Sequence, residues 1–169
     1  MKKLLCSLFA LSAVSTAMAQ EVNIKLLGTS DIHGRVVPWS YGADVEDKSG
    51  SYAQIATYVK DVRKNNKNVV LVDVGDAIQD NQVDVFAKDK KYYKDHPIPK
   101  VLNEMKYDVF VLGNHEFNFG MKALDEILKD IKAKKLTANF YYKKNDKRYI
   151  DATTIIEKDG VKLGIIGLS

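Results

Sequence analysis

The sequence predicts an α/β fold, a layered sheet with helices packed outside it. Three observations carry this. Short β-branched apolar runs end at or near glycine, as buried strands do. Stretches with apolar residues at helical spacing lie between them. No internal repeat or low-complexity segment interrupts the alternation. At 169 residues the chain is long enough for one domain with a real core.

The first stretch is set apart from that fold. "MKKLLCSLFALSAVSTAMAQ" has Lys2 and Lys3, an apolar run from Leu4 to about Ala13, then Ala17-Met18-Ala19. A charged start, an apolar middle and a small-x-small site read as a secretory signal peptide over 1–19, cut before Gln20. The apolar run is short for a membrane span, and no stop-transfer pattern follows. Residues 20–169 then form the domain, exported to the periplasm, the cell surface or the medium. Cys6 is the single cysteine and leaves with the signal, before the apolar run is complete, which argues against a lipoprotein. Without a thiolate, any metal site uses His, Asp, Glu and Asn, which suits oxygen- and nitrogen-loving divalent ions.

The elements follow in order. Residues 22–31, "VNIKLLGTSD", alternate and then turn apolar: a strand running into a loop. Residues 34–51 are the longest irregular stretch, and long loops in compact domains are often functional. Trp39 and Tyr41 in it either face a substrate or anchor the loop. "YAQIATYVKDVRKN" (52–65) carries Ile55, Ala56, Tyr58, Val59 and Val62 at helical spacing. "NVVLVDVGD" (68–76) is a buried strand. "IPKVLNEMK" is a helix with Pro at its start, with His96 just before it as a cap or surface residue. "YDVFVLGN" (107–114) is another buried strand. "GMKALDEILKDIKAKK" (120–135) is an amphipathic helix presenting Met121, Leu124, Ile127, Leu128 and Ile131. "LTANF" is a short strand. Residues 153–169 read as two strands joined by a Lys158-Asp159-Gly160 turn. The last of them, "VKLGIIGLS", reads as buried, and the chain stops as it ends. The expectation is a fragment of a longer protein.

Formal charge is +4, or +2 once Lys2 and Lys3 leave. The bases are interleaved with acids, which suits solvated faces and not a nucleic-acid surface.

Three strands end in polar residues. They give Asp31 and His33 in "SDIHGR", Asp76 in "VGDAIQDN", and Asn114, His115 and Glu116 in "GNHEF". Ligands of open α/β sheets collect outside the carboxyl ends of the strands. Asp and His two apart can reach one cation, and a lone Asp can bridge two. Asn114 offers a neutral oxygen to a second ion. Two ions roughly 4 Å apart clamp an oxyanion and turn the water between them into a nucleophile. His115 beside them can stabilise charge or protonate a leaving oxygen. Singly, Asp-x-His is common, Gly-Asp is often a turn, and Asn-His can cap a helix. The combination at three strand ends points to metal chemistry.

With these residues in place the sequence resembles the calcineurin-like metallophosphoesterase superfamily, whose Asp-x-His, Gly-Asp and Gly-Asn-His-Asp/Glu stand here as Asp31-Ile32-His33, Gly75-Asp76 and Gly113-Asn114-His115-Glu116. Within it the chain is similar to the secreted 5'-nucleotidase and 2',3'-cyclic-nucleotide phosphodiesterase family, on "LLGTSDIHGR", "LVDVGDAIQDN", "VLGNHEFNFG" and "LGIIGLS". The resemblance covers about Val22 to Ser169. It implies the first half of a layered α-β-β-α sandwich, without the family's C-terminal nucleotide-binding domain. It implies Asp31 and His33 on a first metal, Asp76 bridging, Asn114 on a second metal and at the substrate, and His115 as the catalytic residue on the phosphate. Glu116 would support the turn or bond a neighbour. The cofactors implied are two divalent ions from among Mn, Zn, Fe, Mg and Co.

The reaction implied is attack of metal-bound hydroxide on phosphorus, in line with the leaving oxygen of a small nucleotide ester. Two departures qualify it. Asn118 stands where 5'-nucleotidases usually carry an Asp that pairs with the catalytic His, so "NHEFNFG" looks more like the cyclic-nucleotide 2'-phosphodiesterase/3'-nucleotidase branch. The family's metal site also uses later histidines, a lone His and a Gly-His-x-His, whereas this sequence has only His33, His96 and His115. The expectation is therefore half of a dinuclear site, with little turnover from this chain alone. The alternatives are a 5'-nucleotidase or broader nucleotide hydrolase on the same scaffold, and a truncated non-catalytic binding protein. Arg35 lies close enough in sequence to reach a phosphate, although solvation is the commoner fate of a loop Arg.

Overall fold

The computed structural model describes residues 21–169; the signal peptide read from the sequence lies outside them. In chain order the elements are β1 (Lys25–Thr29), β2 (Trp39–Ser40), β3 (Val45–Glu46), α1 (Tyr52–Asn65), β4 (Val69–Asp73), α2 (Asp84–Lys88), α3 (Pro97–Glu104), β5 (Val109–Val111), α4 (Gly120–Lys129), β6 (Lys134–Leu136), β7 (Tyr141–Tyr142), β8 (Lys147–Arg148), β9 (Thr153–Lys158) and β10 (Val161–Ile166).

The centre is a parallel sheet in the order β1-β4-β5-β6. Parallel neighbours need crossovers, and α1, α3 and α4 lie in them. All carboxyl ends therefore point to one edge, where the loops after β1, β4 and β5 gather. β4, "VVLVD", is β-branched and buried at four of its five positions. α1 begins at Ser51, whose hydroxyl caps Gln54 N, and ends with Arg63 and Lys64 against the negative end of the helix dipole. α3 begins on Pro97, where a missing N–H costs nothing.

One face of the sheet meets the helices through Leu71, Phe110, Leu112, Ile98, Leu102, Leu124 and Ile127. On the other face Val109, Val111 and Leu136 pack against Ile156 and Ile165 of the β9–β10 hairpin. The layers are thus helices, parallel sheet and antiparallel hairpin, the α/β layering expected from the sequence.

Three expectations shift. The 120–135 helix stops at Lys129. Its last turn tightens, with Asp130 N bonding Ile127 O and Ile131 N bonding Leu128 O. Asn103 then intercepts the backbone, donating to Asp130 O at 2.7 Å and accepting from Lys132 N at 2.8 Å. The chain is turned into β6, and Lys134 and Lys135 pair with Val109 and Phe110; the strand expected over 136–140 lies over 134–136 instead. The 161–169 strand is only half covered. Period-2 alternation sends Ile165 inward, while Ile155 and Ile166 stand 68% and 67% exposed. Among the described residues nothing lies on that outer face. The 34–51 loop is not wholly irregular, since Trp39 pairs with Glu46 and Ser40 with Val45.

Candidate metal centre

Beyond β1 and β4 the two chains stay side by side. Asp31 N donates to Gly75 O at 3.0 Å, His33 N to Asp76 O at 2.9 Å, and Gly34 N to Ala77 O at 3.0 Å. Asp31, His33 and Asp76 all adopt left-handed backbone, φ +55°, +48° and +57°. Asp and His tolerate that region better than most residues, and three in one place mark a site that the surrounding bonds hold in shape.

The loop after β5 locks onto the same turn at Gly75 and Gly113. A Cβ at Gly75 would lie 2.1 Å from Gly113 N, and one at Gly113 would lie 2.3 Å from Asp76 Oδ1. His115 N donates to Asp76 Oδ1 at 2.7 Å. The buried Glu116 carboxylate completes the lock. Oε2 accepts from Asp76 N at 2.7 Å and Gly113 N at 2.6 Å; Oε1 accepts from Ala77 N at 2.7 Å and Ile78 N at 3.3 Å. Burial raises the Glu116 pKa above its ordinary value, against these four bonds. Glu116 thus supports the turn, as read from the sequence.

One donor atom each from Asp31, His33 and Asp76 lie within 4.8 Å of one another. His33 Nδ1 is buried and has no hydrogen-bond partner. A buried ring nitrogen without a partner is costly, and the His33 ring that carries it also offers a ligand atom beside the Asp31 and Asp76 carboxylates. The donors present fit a divalent metal ion, which the calcineurin-like phosphoesterases use. The His115 ring stands edge-on to the His33 ring, centroids 5.2 Å apart. Its Nδ1 lies 2.9 Å from Asn118 Nδ2. Asn114 is exposed at the head of the Asn114–Phe117 turn, and its side chain makes no capping bond. So Asp31, His33 and Asp76 form one close set, with His115 against it and Asn114 on the adjoining loop.

Sequence reading missed the layer beneath. Asp73, fully buried on β4, accepts from Thr29 Oγ1 at 2.6 Å and Tyr52 OH at 3.1 Å through Oδ2, and from Gly75 N at 3.0 Å through Oδ1. Tyr107 OH meets Thr29 Oγ1 at 2.9 Å. Burial pushes the Asp73 carboxyl up to about 6 against the bonds from Thr29, Gly75 and Tyr52. An acid inside a β-branched run was the available signal. Asn81 was missed as well; its Nδ2 donates to His33 O at 2.5 Å. His96 is the helix cap but not a surface residue. It is 1% exposed, its Nε2 sits 3.2 Å from Ile78 O, and burial lowers its pKa to about 4. Arg35 is not simply solvated: it pairs with Asp47 at 3.0 Å, donates to the Ser49 hydroxyl, and lines the groove containing Asp31 and His33.

Residues 24–165 match the family model described as calcineurin-like phosphoesterase. The chain is 36% identical over 165 residues to the trifunctional nucleotide phosphoesterase protein YfkN of Bacillus subtilis, covering 88% of this chain and 11% of that protein. It is 33% identical over 175 residues to a 2',3'-cyclic-nucleotide 2'-phosphodiesterase/3'-nucleotidase of Haemophilus influenzae, covering 95% of this chain and 27% of that protein. The crystal structure of YfkN superposes with a TM-score of 0.73 at 31% identity, over 84% of this chain and 46% of that one. The chain therefore spans a small part of the length of these curated relatives. Over nearly all the described residues it is a member of the calcineurin-like phosphoesterase family.

Proposed function

We propose that the protein hydrolyses phosphate esters of nucleotides with two divalent ions, and is of the 2',3'-cyclic-nucleotide 2'-phosphodiesterase/3'-nucleotidase type. The observation that carries this is the convergence of one ligand atom each from Asp31, His33 and Asp76 within 4.8 Å of one another. Asp31 and His33 would hold one ion, Asp76 both, and Asn114 the second. Bound ions supply Lewis acidity to phosphoryl oxygens and make water a nucleophile near neutral pH.

The chain's own groups orient and transfer protons. With the Asn118 amide donating to Nδ1, His115 carries its proton on Nε2. Nε2 is then a donor to a phosphoryl or leaving oxygen. Asn114, on the same loop, adds a neutral polar contact to the phosphate. The amide partner of His115, in place of a carboxylate, supports the cyclic-nucleotide type over a 5'-nucleotidase.

Lys2-Lys3, the apolar run and Ala17-Met18-Ala19 support export to the periplasm or cell surface. Sequencing the amino terminus of protein from its native host should find Gln20 first. Among the described residues no helix is long and apolar enough to cross a membrane.

The test is product analysis. Metal-stripped full-length protein is given Mn, Zn, Fe, Mg or Co, then 2',3'-cyclic AMP, 3'-AMP or AMP. Release of phosphate or of 3'-AMP with at least one ion is expected from the protein as its native host makes it, and little from residues 20–169 alone. Asp76→Asn should lower it by at least ~100-fold, on the scale of losing key transition-state charge stabilisation. Release from AMP alone would move the assignment to 5'-nucleotidase. No release with any ion would leave a non-catalytic binding protein.

A further inference from the structure

In the sequence Lys90, Lys91 and Lys94 lie in a run interleaved with acids, which reads as a solvated face. The fold adds a fourth cation from another element. The short helical turns Lys90–Asp95 pack against α4, and a concavity of about 390 Å³ there is lined by Lys90, Lys91, Tyr93, Lys94, Lys122 and Glu126. Its backbone is held in place. Asp89 caps the turns, accepting from Lys91 N at 3.1 Å, and Tyr93 is buried. The nearby acids do not neutralise the lysines. Lys91 turns to Asp89 at 3.4 Å, and Glu126 is taken by Lys129 at 2.6 Å. Lys90, Lys94 and Lys122 make no ion pair among the described residues. The Lys90 amine stands within hydrogen-bonding reach of Lys122, and this approach and its charge hold the Lys122 pKa below the ordinary lysine value. A charged ammonium has three donors and no acceptor, so two that meet repel and cannot satisfy each other. An oxyanion between them offers both an acceptor and the missing negative charge.

We propose that this concavity binds a phosphate group, bridged by Lys90 and Lys122 with Lys94 beside them. A phosphate carries close to two negative charges at neutral pH and several acceptor oxygens, which three unpaired ammonium groups match. Lysine meets phosphate as a compact point charge and needs no fixed fork geometry. The space exceeds that of one phosphate, so the group enters either as the free ion with its water or as a monoester on a larger molecule. None of these lysines belongs to the metal centre, so the site stands apart from the hydrolase reading.

Calorimetric titration with inorganic phosphate tests this on the protein as its native host makes it. A chelator is present, so that no metal adds phosphate binding of its own, and ionic strength is low, because exposed charges are screened by salt. Saturable binding of phosphate is expected, and none of acetate at equal ionic strength. Lys90→Gln should weaken phosphate binding by about two- to fivefold, the size of one exposed ion pair, and Lys90→Gln with Lys122→Gln by about tenfold. Both positions are exposed, so circular dichroism should match wild type. Lys144→Gln, exposed in the turn between β7 and β8, should bind as wild type does. No saturable binding of phosphate, equal binding of acetate, an unchanged affinity in the double variant, or the same loss in Lys144→Gln overturns the site. Glycerol 3-phosphate separates the two sources. Binding as tight as that of phosphate assigns a monoester, weaker binding assigns the free ion, and each supports the lysine site.

Discussion

Four backbone N–H groups from two loops converge on the Glu116 carboxylate, two on each oxygen. Replacing it with Gln turns one oxygen into a donor, so in either amide orientation two N–H groups face an NH₂. Each buried unsatisfied donor costs about 1–3 kcal/mol. Glu116→Gln should therefore lower unfolding free energy by about 2–6 kcal/mol, read from urea denaturation, and a change below about 1 kcal/mol would contradict this role. Asp31, His33, Asp76 and His115 are legible in the sequence because polar residues at strand ends interrupt apolar runs. Glu116 is half legible: its motif marks it, but only the fold shows that it bonds a loop some 40 residues away. Asp73 hides inside "VVLVD", where the run reads as a strand and the acid as a detail. Its importance comes from Thr29, Tyr52 and Gly75, which sequence spacing does not place beside it.

The loops after β4 and β5 work as a pair. Their closest approach is backbone on backbone at Gly75 and Gly113, and Gly75 also needs φ +100°. A methyl group at Gly113 would meet Asp76 Oδ1 and N at 2.3 and 2.6 Å, so the loops must part. Gly113→Ala should leave the far-ultraviolet circular dichroism close to wild type and weaken divalent-ion binding by more than about tenfold, roughly one lost ligand interaction. Calorimetric titration with Mn would check this, and wild-type affinity would show that the contact does not position Asp76. The strands and helices that carry these loops were readable because apolar periodicity places α1, β4 and β5 directly. The end of α4 was not, because a side chain from another element sets it. Asn103 captures Asp130 and Lys132, and nothing local to 120–135 encodes that stop. The outer face of β9–β10 was misread for a related reason. "GIIG" is apolar whether both of its faces are covered or one, and alternation alone does not say which.

Two buried titrating groups sit in the body of the molecule with opposite effects on its pH dependence. The Asp73 carboxyl is lifted from 3.8 to about 6 by burial, so the native state holds its proton more tightly than the unfolded chain. Its contribution is fully present below 3.8 and is lost as pH rises through about 6, up to about 3 kcal/mol at 1.36 kcal/mol per unit. His96 is depressed from 6.5 to about 4, again by burial. Its contribution is present above 6.5 and is lost as pH falls through about 4, by a similar amount, about 3 kcal/mol. Across pH 4–6 the two slopes oppose each other, and in the wild type they nearly cancel. Single variants expose them. Asp73→Asn keeps a polar group that the Thr29 and Tyr52 hydroxyls can turn to meet, and removes only the titration. Its stability should fall relative to wild type as the solution is acidified from pH 6 to 4, the window its lost titration occupied. His96→Gln should gain stability relative to wild type on acidification from pH 6.5 to 4. Urea midpoints measured across this range give both differences. Profiles parallel to wild type in both variants would mean that neither group titrates in the folded core, whereas divergence in opposite directions shows that burial of Asp73 and of His96 shapes the acid response of the fold.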